Sequence, residues 1–577
     1  MKTKLIQVHD KNLKGKPNLE NYAQTYATFK WSEAEKALDW FPHKKINAAY
    51  NAVSRQAQGK RKNKIALYWH GEKGEKAKYT FAELEELSNQ FGQVLKKLGV
   101  KRGDRVFFFL PRVPELFFGF LGTLKIGAIA GTLFSAFGYQ ALFDRLENAD
   151  AKVVITNKEL YPRVAKIESQ LKALKKIVLI DAQKSVKGKY ALSDLIAKAP
   201  KTLRVVKMDP DDPAFMLYTS GTTGKPKGVI HTHRAILQEH LTAQWVLDLK
   251  EGDVYWCTAD PGWVTGIAYE ILGSWSNGAS TLVYAGRFDP AQWYQLIQDY
   301  RVTVWYTAPT AIRMLAAEDS GLTKKYDFSS LRHLASVGEP LNPEAIYWGL
   351  KTFGLPFHDN WWQTETGAIL IANYPCLPIK PGSMGKPIPG VEAGIVNDQG
   401  KPLKTNQIGN LALKPGWPAM MKKIWRRKKK YESYFKSGWY ISGDLAYQDK
   451  DGYFWFVGRA DDVIKTAGER VGPFEVESAL VSHPAVAEAG VIGKPDPLRG
   501  QIIKAFISLK PGQRASEGLK KAIQTYVKRE LAGHAYPREI EFMAKLPKTR
   551  SGKIVRRLLK AKELGLPLGD VSTLEEF

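Results

Sequence analysis

The sequence predicts an α/β protein: a long N-terminal region of alternating strands and helices, then a β-rich subdomain, then a smaller α+β unit. Three observations carry this. Through the first half, short apolar runs alternate with segments of three- and four-residue apolar spacing, the pattern of parallel sheets covered by helices. From Gly382 to Phe456 the texture changes to short alternating segments divided by Gly and Pro turns. With 577 residues the chain also exceeds the ~250–300 at which a single core stops growing, so several domains are expected.

Residues 1–75 are aromatic and charged without clear periodicity. Thr80-Phe81-Ala82-Glu83 then reads as a capping box, followed by Leu84, Leu87, Phe91, Val94, Leu95 and Leu98 on one helical face and closed by Gly99. Arg105–Leu110 reads as a strand, Leu116–Leu124 as a helix, Lys152–Ile155 as a strand, Val164–Leu174 as a Lys-rich helix and Ile177–Leu179 as a strand. Ala214–Leu217 is another strand, with a helix near Ala235–Val246 and a strand at Val302–Tyr306. Beyond Asp461 an α+β unit follows, ending in a basic helix at Ile554–Lys562. No internal repeat is visible.

Composition narrows the function classes. At 44% apolar and 25% charged residues the chain is globular rather than disordered. Two cysteines, Cys257 and Cys376, exclude a disulfide framework and a multi-cysteine zinc site. Met1–Glu20 has no apolar core of a secretory signal. Leu116–Gly138 is long and apolar enough to raise a membrane span, but Lys125 and five glycines interrupt it, and a buried helix followed by a buried strand accounts for it better. The expectation is a soluble cytoplasmic protein with no membrane partner. The net charge of +27 would attract polyanions, yet a lysine-rich solvated surface explains most of it. No nucleic-acid motif accompanies the dense run Arg426–Lys430, so no nucleic-acid partner is expected.

The stretch Tyr218-Thr219-Ser220-Gly221-Thr222-Thr223-Gly224-Lys225-Pro226-Lys227-Gly228 carries the most chemistry. Glycines admit close backbone approach, hydroxyls and amides donate to phosphate oxygens, and two lysines add positive charge. It is not a Walker loop: two residues separate Gly221 from Gly224, and Pro226 follows Lys225. In this order it resembles the phosphate loop of the adenylate-forming enzymes. The segments Ser336–Pro343, His358–Gly367, Ser442–Asp444, Gly458–Glu477 and Pro547–Arg557 follow in that superfamily's order. Together they are most similar to the acetyl-coenzyme A synthetase family, in its shorter Gram-positive form, from about Asn21 to the C-terminus.

The resemblance implies a large N-terminal domain, residues 1–460, made of two α/β subdomains and the β-rich one at about 382–456. A small mobile α+β domain, residues 461–577, would follow, with the active site between the two. The implied activity is that of an AMP-forming acetate–CoA ligase using Mg²⁺. A carboxylate attacks the α-phosphorus of ATP to give an acyl adenylate and pyrophosphate, and coenzyme A thiolate then displaces AMP. A propionyl- or medium-chain acyl-CoA synthetase is the competing reading.

Lys553 is the implied catalytic residue, a point charge able to touch both the acyl carboxylate and the α-phosphate. The implied ATP site takes Thr219, Ser220, Gly221, Thr222, Thr223, Gly224, Lys225 and Lys227 from the loop. Gly338, Glu339 and Pro340 with Asp359, Asn360, Trp361, Trp362, Gln363 and Thr364 would line the adenine and α-phosphate pocket. Asp444 and Arg459 would hold the ribose, and Arg470 a phosphate. Glu365 is the implied Mg²⁺ ligand, and His483 with the backbone of Val481 and Val486 a further metal site. Trp362 would wall the acyl pocket with Val264, Thr265 and Val337, so that acetate fits and butyrate clashes. Thr265, Ala467, Gly468 and Lys528 are implied for coenzyme A, and Asp461 as the hinge. Ala467, Asn360 and Lys528 depart from the common pattern, where serine, threonine and arginine stand. A lysine acetyltransferase and deacetylase acting on Lys553 are implied partners. His231 and His233, with no third ligand in view, read as packing or capping groups.

Overall fold

The computed structural model describes residues 5–7, 15–219, 226–318, 321–466, 469–531, 535–548, 554–568 and 571. Two large sheets dominate. In spatial order the first contains Lys423–Ile424, Lys227–Thr232, Pro213–Thr219, Ile129–Leu133, Arg105–Phe109, Ala151–Thr156, Lys176–Leu179 and Lys189–Ala191. The second contains Lys386–Pro387, Ile371–Ala372, Phe357–Trp361, His333–Ser336, Val304–Thr307, Val254–Cys257, Ser280–Tyr284, Ile65–His70 and Lys76–Thr80. Their central pairings are parallel. Central strands therefore read as continuous apolar runs: Val106, Phe107, Phe108 and Phe109 are all fully buried, as a sheet covered on both faces requires.

The helix Phe81–Lys97 starts at the capping box. Glu83 N–H donates to Thr80 Oγ1 at 3.2 Å, and Thr80 N–H to Glu83 Oε2 at 2.7 Å. Leu116–Gly138 resolves as the helix Pro114–Lys125 and the strand Ile129–Leu133, both buried. Lys125 is fully buried and donates to Glu85 Oε2, Ser88 Oγ and Asn89 Oδ1 at 2.6, 2.7 and 2.8 Å. Among the described residues no helix is long and apolar enough to cross a membrane.

Two expectations change. The Lys-rich helix over Val164–Leu174 is instead a short helix, Tyr161–Ala165, and a 3₁₀ turn, Glu168–Gln170. Val164, Ile167 and Leu171 anchor these turns in the core, while the chain must still enter the strand at Lys176. The apparently aperiodic N-terminus supplies the strand Ile65–His70, which lies parallel to Ser280–Tyr284.

The β-rich segment forms a five-stranded sheet of Ala393–Val396, Gly409–Leu413, Phe435–Lys436, Trp439–Gln448 and Phe454–Arg459. Its short strand Lys423–Ile424 instead joins the first large sheet, antiparallel to Lys227–Thr232. The C-terminal α+β unit has its own five-stranded sheet, centred on the antiparallel pair Val486–Asp496 and Gly500–Leu509. Against it pack the helices Pro473–Val481 and Arg556–Leu564.

Candidate active site

The second sheet positions the site. His333–Ser336 runs parallel to both Val304–Thr307 and Phe357–Trp361, so the Val337–Pro340 loop and the Trp362–Glu365 turn leave from neighbouring carboxyl ends. That edge of an open α/β sheet is where ligands bind. Gly338 has φ +96°, which lets the chain turn sharply after the strand. Glu339 is fixed rather than free: its Oε1 accepts from Thr310 Oγ1 at 2.8 Å and its Oε2 from Arg313 at 3.0 Å.

Asp359 and Asn360 lie on the strand itself. Asn360 accepts from the Tyr306 hydroxyl at 2.9 Å and donates to Ser336 O at 2.8 Å, which fixes its orientation. Asp359 is buried, with Leu341 N–H donating to Oδ2 at 3.3 Å. Burial drives its carboxyl well above the usual range despite that hydrogen bond.

A carboxylate clamp connects this strand to the β-rich subdomain. Trp361 Nε1 and Gln363 Nε2 donate to Asp444 Oδ2 at 2.9 and 3.0 Å, and Gln363 Oε1 accepts from the Tyr440 hydroxyl at 2.8 Å. Asp444 Oδ1 faces Arg459 at 3.2 Å, its antiparallel ladder partner. Burial works against the Arg459 charge, but Asp444 and Asp461 win and hold its pKa above the ordinary value. Asp461 stands exposed just beyond.

Glu365 sits beside the strand Lys227–Thr232. Its Oε1 accepts from the Tyr434 hydroxyl at 2.9 Å and lies 3.4 Å from Lys227 Nζ, which itself donates to Tyr434 at 2.8 Å. Burial, then the Glu365 carboxylate, pushes the Tyr434 phenol up, so it stays a proton donor at neutral pH. The Arg426–Lys430 run ends here, with Lys430 Nζ 4.9 Å from the centre of the Tyr434 ring.

Trp362 is half-buried and packs edge-on against Tyr269, ring centres 5.1 Å apart. Val264, Thr265 and Val337 are buried, and Val264 and Thr265 precede a π-helical turn, Gly266–Leu272. Thr364 lies in the turn between Trp362 and Glu365.

Other predicted residues fall elsewhere or outside the description. Thr219 ends its strand paired with Lys227, but Ser220, Gly221, Thr222, Thr223, Gly224 and Lys225 lie outside the described residues, as do Ala467, Gly468 and Lys553. The backbone of Arg470 pairs with Lys465. Lys528 is exposed, 5.7 Å from the centre of the Tyr536 ring. His483 Nδ1 accepts the Ala485 N–H at 3.2 Å, which puts the ring proton on Nε2. His231 stacks on Phe215 and His233 accepts the Ala48 N–H at 3.1 Å, both in packing roles as expected.

Sequence reasoning missed Tyr434, Tyr440, Thr310 and Arg313. Tyr434 is 69 positions from Glu365, and Arg313 is 26 from Glu339, so no local pattern links them. The basic run beside Tyr434 was visible, but its relation to Glu365 was not.

Comparison with known proteins agrees with this geometry. The AMP-binding enzyme family model matches residues 53–425, and the AMP-binding enzyme C-terminal domain matches residues 475–553. The chain is 57% identical to acetyl-coenzyme A synthetase of Bacillus subtilis, over 98% of this chain and 99% of that protein. It is 43% identical to the acetyl-coenzyme A synthetase of Methanothrix thermoacetophila, covering 96% of this chain and 90% of that one. Among solved structures, an anthranilate CoA ligase in complex with anthranoyl-AMP matches with TM-score 0.85 and 33% identity, over 93% of this chain and 99% of that one. The two large sheets, the β-rich subdomain and the small C-terminal unit are thus that fold, and the chain belongs to the acetyl-coenzyme A synthetases of the AMP-binding enzyme family.

Proposed function

We propose that the protein activates acetate with ATP to acetyl-AMP and pyrophosphate, then transfers the acetyl group to coenzyme A. The carrying observation is the Asp444 clamp. Two donors fix one carboxylate oxygen and Arg459 stands at the other, at the edge where the sheet ends its strands. A carboxylate held this way suits a pair of vicinal ribose hydroxyls. Gly338–Pro340, Asp359 and Asn360 would then line the base and α-phosphate, and Arg470 would be the residue for phosphate.

In the first half-reaction an acetate oxygen attacks the α-phosphorus and the bond to pyrophosphate breaks. Two anions approach, so Lys553 would stabilise charge on both. Thr219–Lys225 and Lys227 would hold the departing phosphates. Glu365, a hard oxygen donor already ordered by Tyr434, would hold Mg²⁺. When bound, that ion neutralises polyphosphate charge. In the second half coenzyme A thiolate attacks the acyl carbonyl and AMP leaves with the bonding electrons. Rotation about Asp461 would replace Lys553 by Gly468 at the site, with Thr265, Ala467 and Lys528 toward coenzyme A. Acetylation of Lys553 by a lysine acetyltransferase removes its charge and would silence the first half.

The test separates the halves. Acetate-dependent ATP–pyrophosphate exchange should run with acetate, weakly with propionate and not with butyrate. Lys553→Ala should abolish exchange yet keep most thioester formation from supplied acetyl-AMP. Equal loss of both halves refutes the assignment.

A further inference from the structure

We propose that Asn342 and Ser478 are a positioning pair that docks the C-terminal unit in the arrangement that serves adenylation. The inference rests on the role given to Lys553 above. Asn342 Nδ2 donates to Ser478 Oγ at 2.7 Å, a hydrogen bond between the N-terminal region and the helix Pro473–Val481.

Each end of that bond is wired to a different part of the site. Asn342 is buried, and its Oδ1 accepts from Arg313 at 3.2 Å. The same guanidinium donates to Glu339 Oε2 at 3.0 Å and to Thr310 Oγ1 at 2.6 Å, so one arginine fixes both the Gly338–Pro340 loop and the docking asparagine. On the other side Ser478 adjoins Glu477. Glu477 Oε1 accepts the Val491 N–H at 2.9 Å and Arg556 Nε at 2.7 Å, and its Oε2 takes the second Arg556 nitrogen. Arg556 stands three residues beyond Lys553 in the chain. The pair Asn342–Ser478 therefore ties the nucleotide loop to the helix that holds the chain just past the catalytic lysine.

The surroundings say which half-reaction this arrangement favours. Ile554 and Arg556 line one cleft together with Glu339, Pro340 and Asn342. The face turned to the Gly338–Pro340 loop is thus the one that carries Ile554 and Arg556, next in the chain to the lysine given the adenylation role. A hydrogen bond present in one domain arrangement and absent in the other biases their equilibrium by its own strength and no more. For one neutral hydrogen bond that is a ~2–10-fold effect.

The experiment uses the full chain and measures both half-reactions for the parent, Asn342→Ala, Ser478→Ala and the double variant. The expected result is a ~2–10-fold fall in the kcat of acetate-dependent ATP–pyrophosphate exchange, with KM for ATP little changed. Thioester formation from supplied acetyl-AMP should be retained. The double variant should fall no further than either single one, and Ser478→Thr, which keeps the hydroxyl, should behave as the parent. Unchanged exchange, an equal fall in both halves, an effect confined to KM, or additive losses in the double variant would each overturn the pair. Lys553→Ala run alongside tells the two failures apart. If it leaves exchange intact, the role of Lys553 is wrong; if it abolishes exchange while both alanine variants match the parent, only the docking pair is wrong.

Discussion

Trp362, proposed as a wall of the acyl pocket, tests how one side chain would set the acyl preference. Its indole stands edge-on to Tyr269, whose hydroxyl meets Thr242 at 2.8 Å and the Ile369 N–H at 2.8 Å, so the wall behind it is braced. In the proposed pocket such a braced indole would not yield to a longer chain. Trp362→Gly should therefore shift the preference from acetate toward butyrate and longer acids, read as kcat/KM across a chain-length series. Each methylene admitted is worth ~1–3 kcal/mol, and an unchanged series would remove Trp362 from the acyl pocket. Residues of this kind were legible because the motif His358–Gly367 is contiguous and brings Asp359, Asn360, Trp361, Gln363 and Glu365 together along one strand and turn. Tyr434 and Arg313 were not legible. They act on Glu365 and Glu339 through hydrogen bonds that exist only once distant segments have folded onto one another.

At the scale of elements, local chemistry reads well where it is self-contained. The Thr80 capping box and the apolar face behind it specify the helix Phe81–Lys97 without help from the rest of the chain. The strand Ile65–His70 pairs locally with Lys76–Thr80, but its place in the large sheet is set by the parallel partner Ser280–Tyr284, more than two hundred positions away and beyond any local signal. Helix Pro114–Lys125 is the informative middle case. Its apolar run announces burial, and only the fold explains how Lys125 is tolerated at its end. Burial pushes that ammonium's pKa down while Glu85 opposes the shift. Removing Lys125 leaves Ser88, Asn89 and the partly exposed Glu85 without their shared ammonium, a cost bounded by the ~3–5 kcal/mol of a fully buried pair. Lys125→Met should accordingly lower the thermal midpoint sharply, and Lys125→Met with Glu85→Gln should recover much of it. A double variant as unstable as Lys125→Met alone would show that the ammonium serves packing rather than charge balance.

Across the whole molecule, buried ionisable groups set opposing pH limits on stability. Burial lowers His231 and His358 to about 4 and His233 and His240 to about 3. Below the unfolded value of ~6.5 the unfolded chain takes up protons that these rings refuse, so stability falls with falling pH by up to ~1.4 kcal/mol per unit for each ring. That loss continues until the folded values near 3 to 4 are passed. Glu239 and Glu270 act in the other direction. Both are fully buried, neither has a hydrogen-bond partner among the described residues, and burial raises both well above the usual carboxyl range. Above ~4.3 the unfolded chain releases protons that the folded carboxyls keep, so stability falls as pH rises. A dome in thermal midpoint between these limits is the expected profile. Glu239→Gln and Glu270→Gln keep the shape of the side chains and remove only the ionisation. They should raise the midpoint at pH 8 and flatten the alkaline limb while leaving the acid limb in place. If the alkaline limb keeps its slope in the double glutamine variant, these two carboxyls are not its cause.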